Sequence, residues 1–345
     1  MVPVLIVVGA LALGCETGTS TPSDVVSAED APDSPDVRGD DVGPDAEHLE
    51  PTPWIYPPED TPIEPSLDAG TRAAALAAAL DAVLALSPDA VQGLQDLLYP
   101  RPAPGQGDPT GCPFVLTYDY GPTKAYYWQG ECTASDGTRF SGQGYSSWTV
   151  GLEADGLTSD GFEVNLAGRI EAADGTFLEG AGTVAAYAGR NADARAFGRS
   201  MNGTFSAGGP RAPADAWLSG KRRPTLRVDG WVYVPTGGHN LLISGGISGL
   251  DGFPGGATAV SFDGLTLRDA FGGATCFSEP GGDASVRGPD GNWFDIAFDG
   301  PTDAAPVTDA ESCDTCGASW FRGSPVDPTC LDTAPFLVWT GDSPW

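Results

Sequence analysis

The chain has 345 residues, 41% of them hydrophobic, which is enough for one large β domain or two smaller ones. Its formal net charge is −30, from 17 Lys and Arg against 47 Asp and Glu. Such a surface repels phosphate backbones and anionic lipid heads, and so excludes nucleic acid as a partner. With 48 Gly and 31 Pro and no collagen-like period, turns must be abundant.

Val2 to Leu13 form an apolar run that ends in Ala12-Leu13-Gly14-Cys15. The run is short for a bilayer span and suits the apolar core of a signal peptide. Gly14-Cys15 resembles the lipobox of bacterial lipoproteins, although Ala12 stands where leucine is usual and no Lys or Arg precedes the run. The resemblance implies that residues 1–15 are a lipoprotein signal peptide with its lipid-attachment cysteine. Cys15 is then acylated on sulfur, and the lipid holds the protein to the cell envelope, most naturally at the outer membrane.

Residues 16–66 are rich in Ser, Thr, Pro, Asp and Gly. Fifteen acids from Glu16 to Asp68 stand against one base, Arg38, so this segment carries −14 and the rest of the chain −16. So little apolar surface cannot offset the entropy of ordering, and a disordered tether is expected. Fifty flexible residues reach roughly 40 Å. The acidity also keeps a folded domain away from an anionic membrane.

Residues 67–100 are rich in Ala and Leu. Leu76, Leu80, Val83 and Leu84 recur at helical spacing, so Asp68 to Leu86 reads as a helix. Ser87-Pro88-Asp89 then marks a second start, with Ser87 as cap, Pro88 in the first turn and Asp89 near the positive dipole end. Its apolar face is Val91, Leu94, Leu97 and Leu98. Packing on a sheet is the expectation; a lid over an apolar cavity is the alternative.

From residue 110 to 345 strands alternate with turn signals. Asp136-Gly137-Thr138, Asp174-Gly175-Thr176 and Asn202-Gly203-Thr204 read as successive hairpin turns. Parity separates true turns from apparent ones. Leu226, Val228, Gly230, Val232 and Val234 keep one face straight through Asp229-Gly230, which makes one strand. Between Val260-x-Phe262 and Leu265-x-Leu267 the phase switches, so Asp263-Gly264 is a turn or bulge. Phe162, Val164, Leu166, Gly168 and Ile170 give another one-sided strand. Glycines inside so many strands suit a sheet that coils. The expected class is mainly β: a strongly curved antiparallel sheet of about ten strands, barrel or half-barrel, with the helical segment against it. A two-sheet sandwich is the competitor.

Setting Cys15 aside leaves six of the seven cysteines, an even number suited to an oxidising compartment. Cys112 and Cys132 are symmetric about Pro122 in Asp119-Tyr120-Gly121-Pro122-Thr123, and a hairpin there brings them together at its base. Cys276, Cys313, Cys316 and Cys330 allow three pairings. Cys276–Cys330 with a local Cys313–Cys316 bridge is slightly preferred over the others, and disulfides over zinc, because no second close Cys or His pair exists. The stretch Cys276, Ser285-Val286-Arg287, Gly291-Asn292-Trp293-Phe294, Phe298-Asp299-Gly300, Cys313-Asp314-Thr315-Cys316-Gly317 and Cys330 resembles the C-terminal part of uncharacterised myxobacterial lipoproteins. That resemblance covers about the last seventy residues. It implies an envelope location and brings no assigned activity.

Catalytic signals are weak. Of two histidines, His48 falls in the tether and His239 follows Thr236-Gly237-Gly238 in what reads as a loop. Gly246-Ile247-Ser248-Gly249-Leu250 fails as a nucleophile elbow at its last position. Gly142-Gln143-Gly144 and Gly180-Ala181-Gly182 fall inside strands and do not make phosphate loops. The acidic stretch Asp283 to Asp295 lacks the calcium-loop spacing. No cofactor, metal site or catalytic residue is therefore expected. The leading expectation is a non-enzymatic envelope lipoprotein that presents its β domain for structural or interaction work. The alternatives are a carrier of an apolar ligand inside the curved sheet, and a secreted hydrolase using paired carboxylates. Trp231 and Tyr233, on the polar face of their strand, could line a binding surface or pack beneath a loop.

Overall fold

The computed structural model describes residues 63–102, 110–154, 156–234, 238–249, 252–269, 276, 279–302 and 313–337. The apolar run, Cys15, His48 and nearly all of the acidic segment lie outside them.

Helix α1 spans Ala69–Leu84 and begins at Asp68, whose Oδ1 accepts the Thr71 N–H at 2.7 Å. Helix α2 spans Pro88–Leu98, with Pro88 in its first turn as expected, although the Ser87 side chain makes no capping bond. Its buried face is Val91, Leu94, Gln95 and Leu98; Leu97 points to solvent.

Thirteen strands follow: β1 (Phe114–Tyr120), β2 (Thr123–Thr133), β3 (Arg139–Ala154), β4 (Leu157–Glu171), β5 (Phe177–Arg190), β6 (Ala194–Gly208) and β7 (Arg223–Tyr233), then β8 (Gly238–Ser248), β9 (Ala259–Arg268), β10 (Gly281–Arg287), β11 (Trp293–Asp299), β12 (Cys316–Phe321) and β13 (Ser324–Cys330). They form one antiparallel sheet in chain order, with β1 and β13 as its two edges. The expected mainly-β curved sheet is present and left open, and it is one sheet, so the sandwich alternative fails. The strand number exceeds ten because β10 to β13 are short, and Pro325 and Pro328 hide the last of them from propensity.

Asp136-Gly137 and Asp174-Gly175 are tight turns, each with the aspartate accepting the N–H two residues on, at 2.9 Å in both. Asn202-Gly203 is not a turn. It lies in the middle of β6, where Gly203 faces Gly182 of β5, and a Cβ on Gly203 would fall 2.1 Å from the Ala181 carbonyl oxygen. Here glycine marks a close approach of two backbones. As parity predicts, β7 runs unbroken through Asp229-Gly230, while β9 is bulged near Asp263-Gly264, where its pairing shifts on both sides.

The helices cover one face of the sheet. Helix α2 packs on β4, β5 and β6; helix α1 packs on β7, β9, β10 and β13. Leu76, Leu80 and Val83 join Leu166, Ile170, Leu178, Val184, Val228 and Ile243 in a continuous buried core. Polar anchors fix the helices in place. Arg72, itself buried, donates to Thr329 Oγ1 (3.0 Å), to the Leu67 carbonyl (2.9 Å) and to the Asp327 carbonyl, and its guanidinium lies over the Phe294 ring. Between the helices, the Ala85 carbonyl accepts from Trp217 Nε1 (2.8 Å) and the Leu86 carbonyl from Arg199 Nη1 (2.7 Å). These bonds satisfy carbonyls that a helix end leaves open. The helices therefore pack as core elements.

Candidate functional site

The most distinctive surface lies on the other face, at the β1 edge. Along β1 the side chains of Phe114, Leu116, Tyr118 and Tyr120 all point to this outer face, and all four are exposed. Period-two alternation puts them there. Tyr118 and Tyr120 stack with ring planes 7° apart. Direct cross-strand partners share a face, so the pattern continues inward: Phe114 stands beside Gln129, Gln143 and Ala167, and Leu116 beside Tyr127, Tyr145 and Asn165.

A shallow depression of about 330 Å³ opens in this surface, lined by Gln129, Gly130, Glu131, Gly142, Gln143 and Ala167. In the backbone of this region Gly130, Gly142, Gly168 and Gly180 sit side by side across β2 to β5. Gly142 has φ +91°, and a Cβ there would be 2.3 Å from the Ala167 oxygen. Around the depression the polar groups hold each other. Tyr127 Oη donates to Gln143 Oε1 (2.8 Å), and Glu131 accepts from Ser141 Oγ (3.1 Å) and from the Gly142 N–H (2.7 Å). At the hairpin tip Lys124 Nζ lies 3.4 Å from Asp119, whose carboxyl is held below its ordinary range by the Gly121 N–H first and by Lys124 second. Residues 110–150 carry Asp119, Glu131 and Asp136 against Lys124 and Arg139, a nearly neutral patch on a strongly acidic chain.

The six cysteines pair as Cys112–Cys132, Cys276–Cys313 and Cys316–Cys330. The first is the predicted bridge, with Cα atoms 6.0 Å apart at the base of the β1–β2 hairpin. The preferred pairing of the other four is corrected. Cys316 directly faces Cys330 in the β12–β13 register, and Thr315, with φ +61°, turns the chain so that Cys313 leaves the strand and meets Cys276. Sequence spacing cannot give this, because it depends on which strands are neighbours.

His239 is the second residue of β8 and not a loop residue. Its Nδ1 lies 2.7 Å from Asp269 Oδ2, and its backbone N–H also bonds to Asp269. The pair ties β8 to the end of β9. Paired carboxylates occur on the outer face of β9 to β11, where Asp283 faces Asp263 and Ser285 faces Asp295. Partial loss of solvent first, then Asp263 and Asp295, push the Asp283 carboxyl upward. These acids stand on a sheet surface, while the depression opens at β2 to β4. Glu279 is buried against the Cys-rich segment, where Oε2 accepts the Thr315 N–H at 2.9 Å. Trp231 and Tyr233 project from the outer face of β7, Tyr233 exposed and Trp231 half-buried. Among the described residues, no group of three or more His, Cys, Asp or Glu is placed to hold a metal ion.

The β1 row was missed in the sequence; its signal is the large apolar residue at every second position from Phe114 to Tyr120, yet strand propensity alone does not tell which face the helices cover. Comparison of the chain with protein-family models, with curated proteins and with solved structures finds no match.

Proposed function

We propose that this chain is an exported, lipid-anchored, non-enzymatic envelope protein that displays a disulfide-stabilised β domain, with the outer face of β1 to β3 as its interaction surface. The observation that carries the reading is the pairing of six cysteines with one another, which leaves Cys15 over. Three disulfides belong to an oxidising, extracytoplasmic compartment. The remaining cysteine follows an apolar run and a small residue, as lipid attachment requires, and an acidic segment separates it from the fold. Within the domain, α1 and α2 fill the face that a carrier would keep open for an apolar ligand. The exposed apolar row on β1 gives the domain a surface suited to a partner instead.

The test is intact mass and fractionation of the mature protein from its bacterial host. The expected result is diacylglycerol on Cys15 and recovery with membranes, with Cys15→Ser released to the soluble envelope fraction. Cleavage downstream of an unmodified Cys15, or six free thiols in the cytosol, overturns the proposal.

A further inference from the structure

The two edges of the sheet are built differently. Edge strands offer unpaired N–H and C=O groups to other strands, and natural sheets blunt them with proline, inward charge, bulges or cover. Edge β13 has such devices: Pro325 and Pro328 lack an N–H, and the Asp327 carbonyl is already taken by Arg72 of α1. Among the described residues, edge β1 has none of them. Its sequence Phe-Val-Leu-Thr-Tyr-Asp-Tyr holds no proline and no lysine, its register with β2 is unbroken over seven residues, and among the described residues it pairs only with β2. Its one charge, Asp119, is offset by Lys124.

We propose that β1 pairs antiparallel with β1 of a second copy of this chain, about a two-fold axis through Thr117, joining two sheets edge to edge. The inference rests on reading this face as the interaction surface. A backbone edge calls for another strand, because only a strand offers alternating donors and acceptors at the matching rise. The pattern of β1 is complementary to itself. With Thr117 opposite Thr117 of the other copy, Phe114 meets Tyr120 and Leu116 meets Tyr118, so each exposed apolar side chain of the outer face gains an apolar cross-strand neighbour. Charge points the same way. Residues 110–150 are almost balanced, whereas Glu16 to Asp68 carries −14, so this edge is where two strongly acidic copies approach with little local repulsion. A two-fold axis closes the assembly at two copies, which matches one open edge per chain. Seven residues make an interface smaller than a standard one, so the association is weak and concentration-dependent.

The experiment uses the full chain carrying Cys15→Ser, so that no lipid holds copies together. Sedimentation over a concentration series should move from monomer to dimer, and Leu116→Lys with Tyr118→Lys should raise the dimer Kd at least about tenfold, that is about 1.4 kcal/mol. Both positions are exposed, and an unchanged thermal midpoint confirms that the double variant folds. Register is read separately. Thr117→Cys should crosslink two copies on mild oxidation, since directly opposed Cβ atoms are about 5 Å apart. Val115→Cys should not, because its counterpart lies four residues away, about 13 Å along the strand. A chain that stays monomeric at about 0.5 mM, a dimer indifferent to both lysines, or Val115→Cys linking as readily as Thr117→Cys overturns the pairing. A monomer that still loses capture of an envelope partner on Leu116→Lys also overturns it, while leaving the interaction surface intact; an unlipidated Cys15 in the host defeats the lipid-anchor reading alone.

Discussion

Phe197 on β6 lies against Gly230, its direct partner on β7, so closely that a Cβ at residue 230 would sit 2.3 Å from the ring. The same relation recurs in register at Trp128 and Gly144, Phe205 and Gly180, Tyr187 and Gly198, and Phe177 and Gly208. Each ring covers a residue with no side chain, which recovers apolar burial that glycine alone would lose. Tyr187 also donates to Asp229 at 2.9 Å. Gly230→Ala should therefore cost about 2 kcal/mol or more in urea unfolding, since the ring must move from a packed site. Adding Phe197→Leu should recover part of that loss. A coupling of about 1 kcal/mol in the double-mutant cycle is the expected signature, and simple additivity would refute the pairing.

The helix junction depends on Arg199. Its Nη1 donates to the Leu86 carbonyl at 2.7 Å, it is nearly buried, and Asp89 lies 3.7 Å from its Nη2. Burial pulls its guanidinium pKa down to about 10, and Asp89 partly offsets this, so the residue stays charged at neutral pH. Arg199→Met keeps the apolar stem and leaves the Leu86 carbonyl without this donor. A loss of roughly 2 kcal/mol is expected. Hydrogen exchange should rise first in α2, whose start Arg199 holds; uniform loss across the sheet would contradict this role.

The helices, the mainly-β class, the β1–β2 hairpin and the unbroken β7 were legible because each depends on local periodicity or on a turn next to it in sequence. Asn202-Gly203 misled because glycine serves two purposes, turning a chain and letting backbones approach, and only the neighbouring Gly182 tells which applies. The Cys276, Cys313, Cys316 and Cys330 pairing was illegible for a related reason: it is set by the β12–β13 register and by one residue at positive φ. The β1 platform falls between these cases. Phe114, Leu116, Tyr118 and Tyr120 occupy every second position of the sequence, but their exposure follows from which face the distant helices occupy.

The disulfides make a quantitative prediction. They close separations of 20, 37 and 14 residues. In the chain-entropy model each removes roughly 3 to 4 kcal/mol of freedom from the unfolded state, rising slowly with loop length. Pairwise Cys→Ser variants should lose stability in that range. Proteolytic mapping without reduction should yield Cys276 linked to Cys313 and Cys316 linked to Cys330. A peptide linking Cys313 to Cys316 would overturn this connectivity.

Glu279 should work against stability at neutral pH. Burial first, then the nearby charges of Asp299 and Asp314, raise its pKa above the ordinary 4.5, and the Thr315 N–H only partly opposes them. A carboxyl whose pKa is higher in the folded state holds its proton more tightly there. Folding is therefore favoured by this group at low pH, and that advantage drains away as pH rises from about 4.5 through the raised folded value. Glu279→Gln keeps an oxygen for the Thr315 N–H and discards the charge. The variant should melt higher than the parent at pH 7, with the gain shrinking as pH falls and gone near pH 3, where the parent residue is neutral as well. Thermal melts of both proteins across that range check the sign; a gain that persists unchanged at pH 3 would show that packing, and not the carboxylate charge, is what the substitution alters.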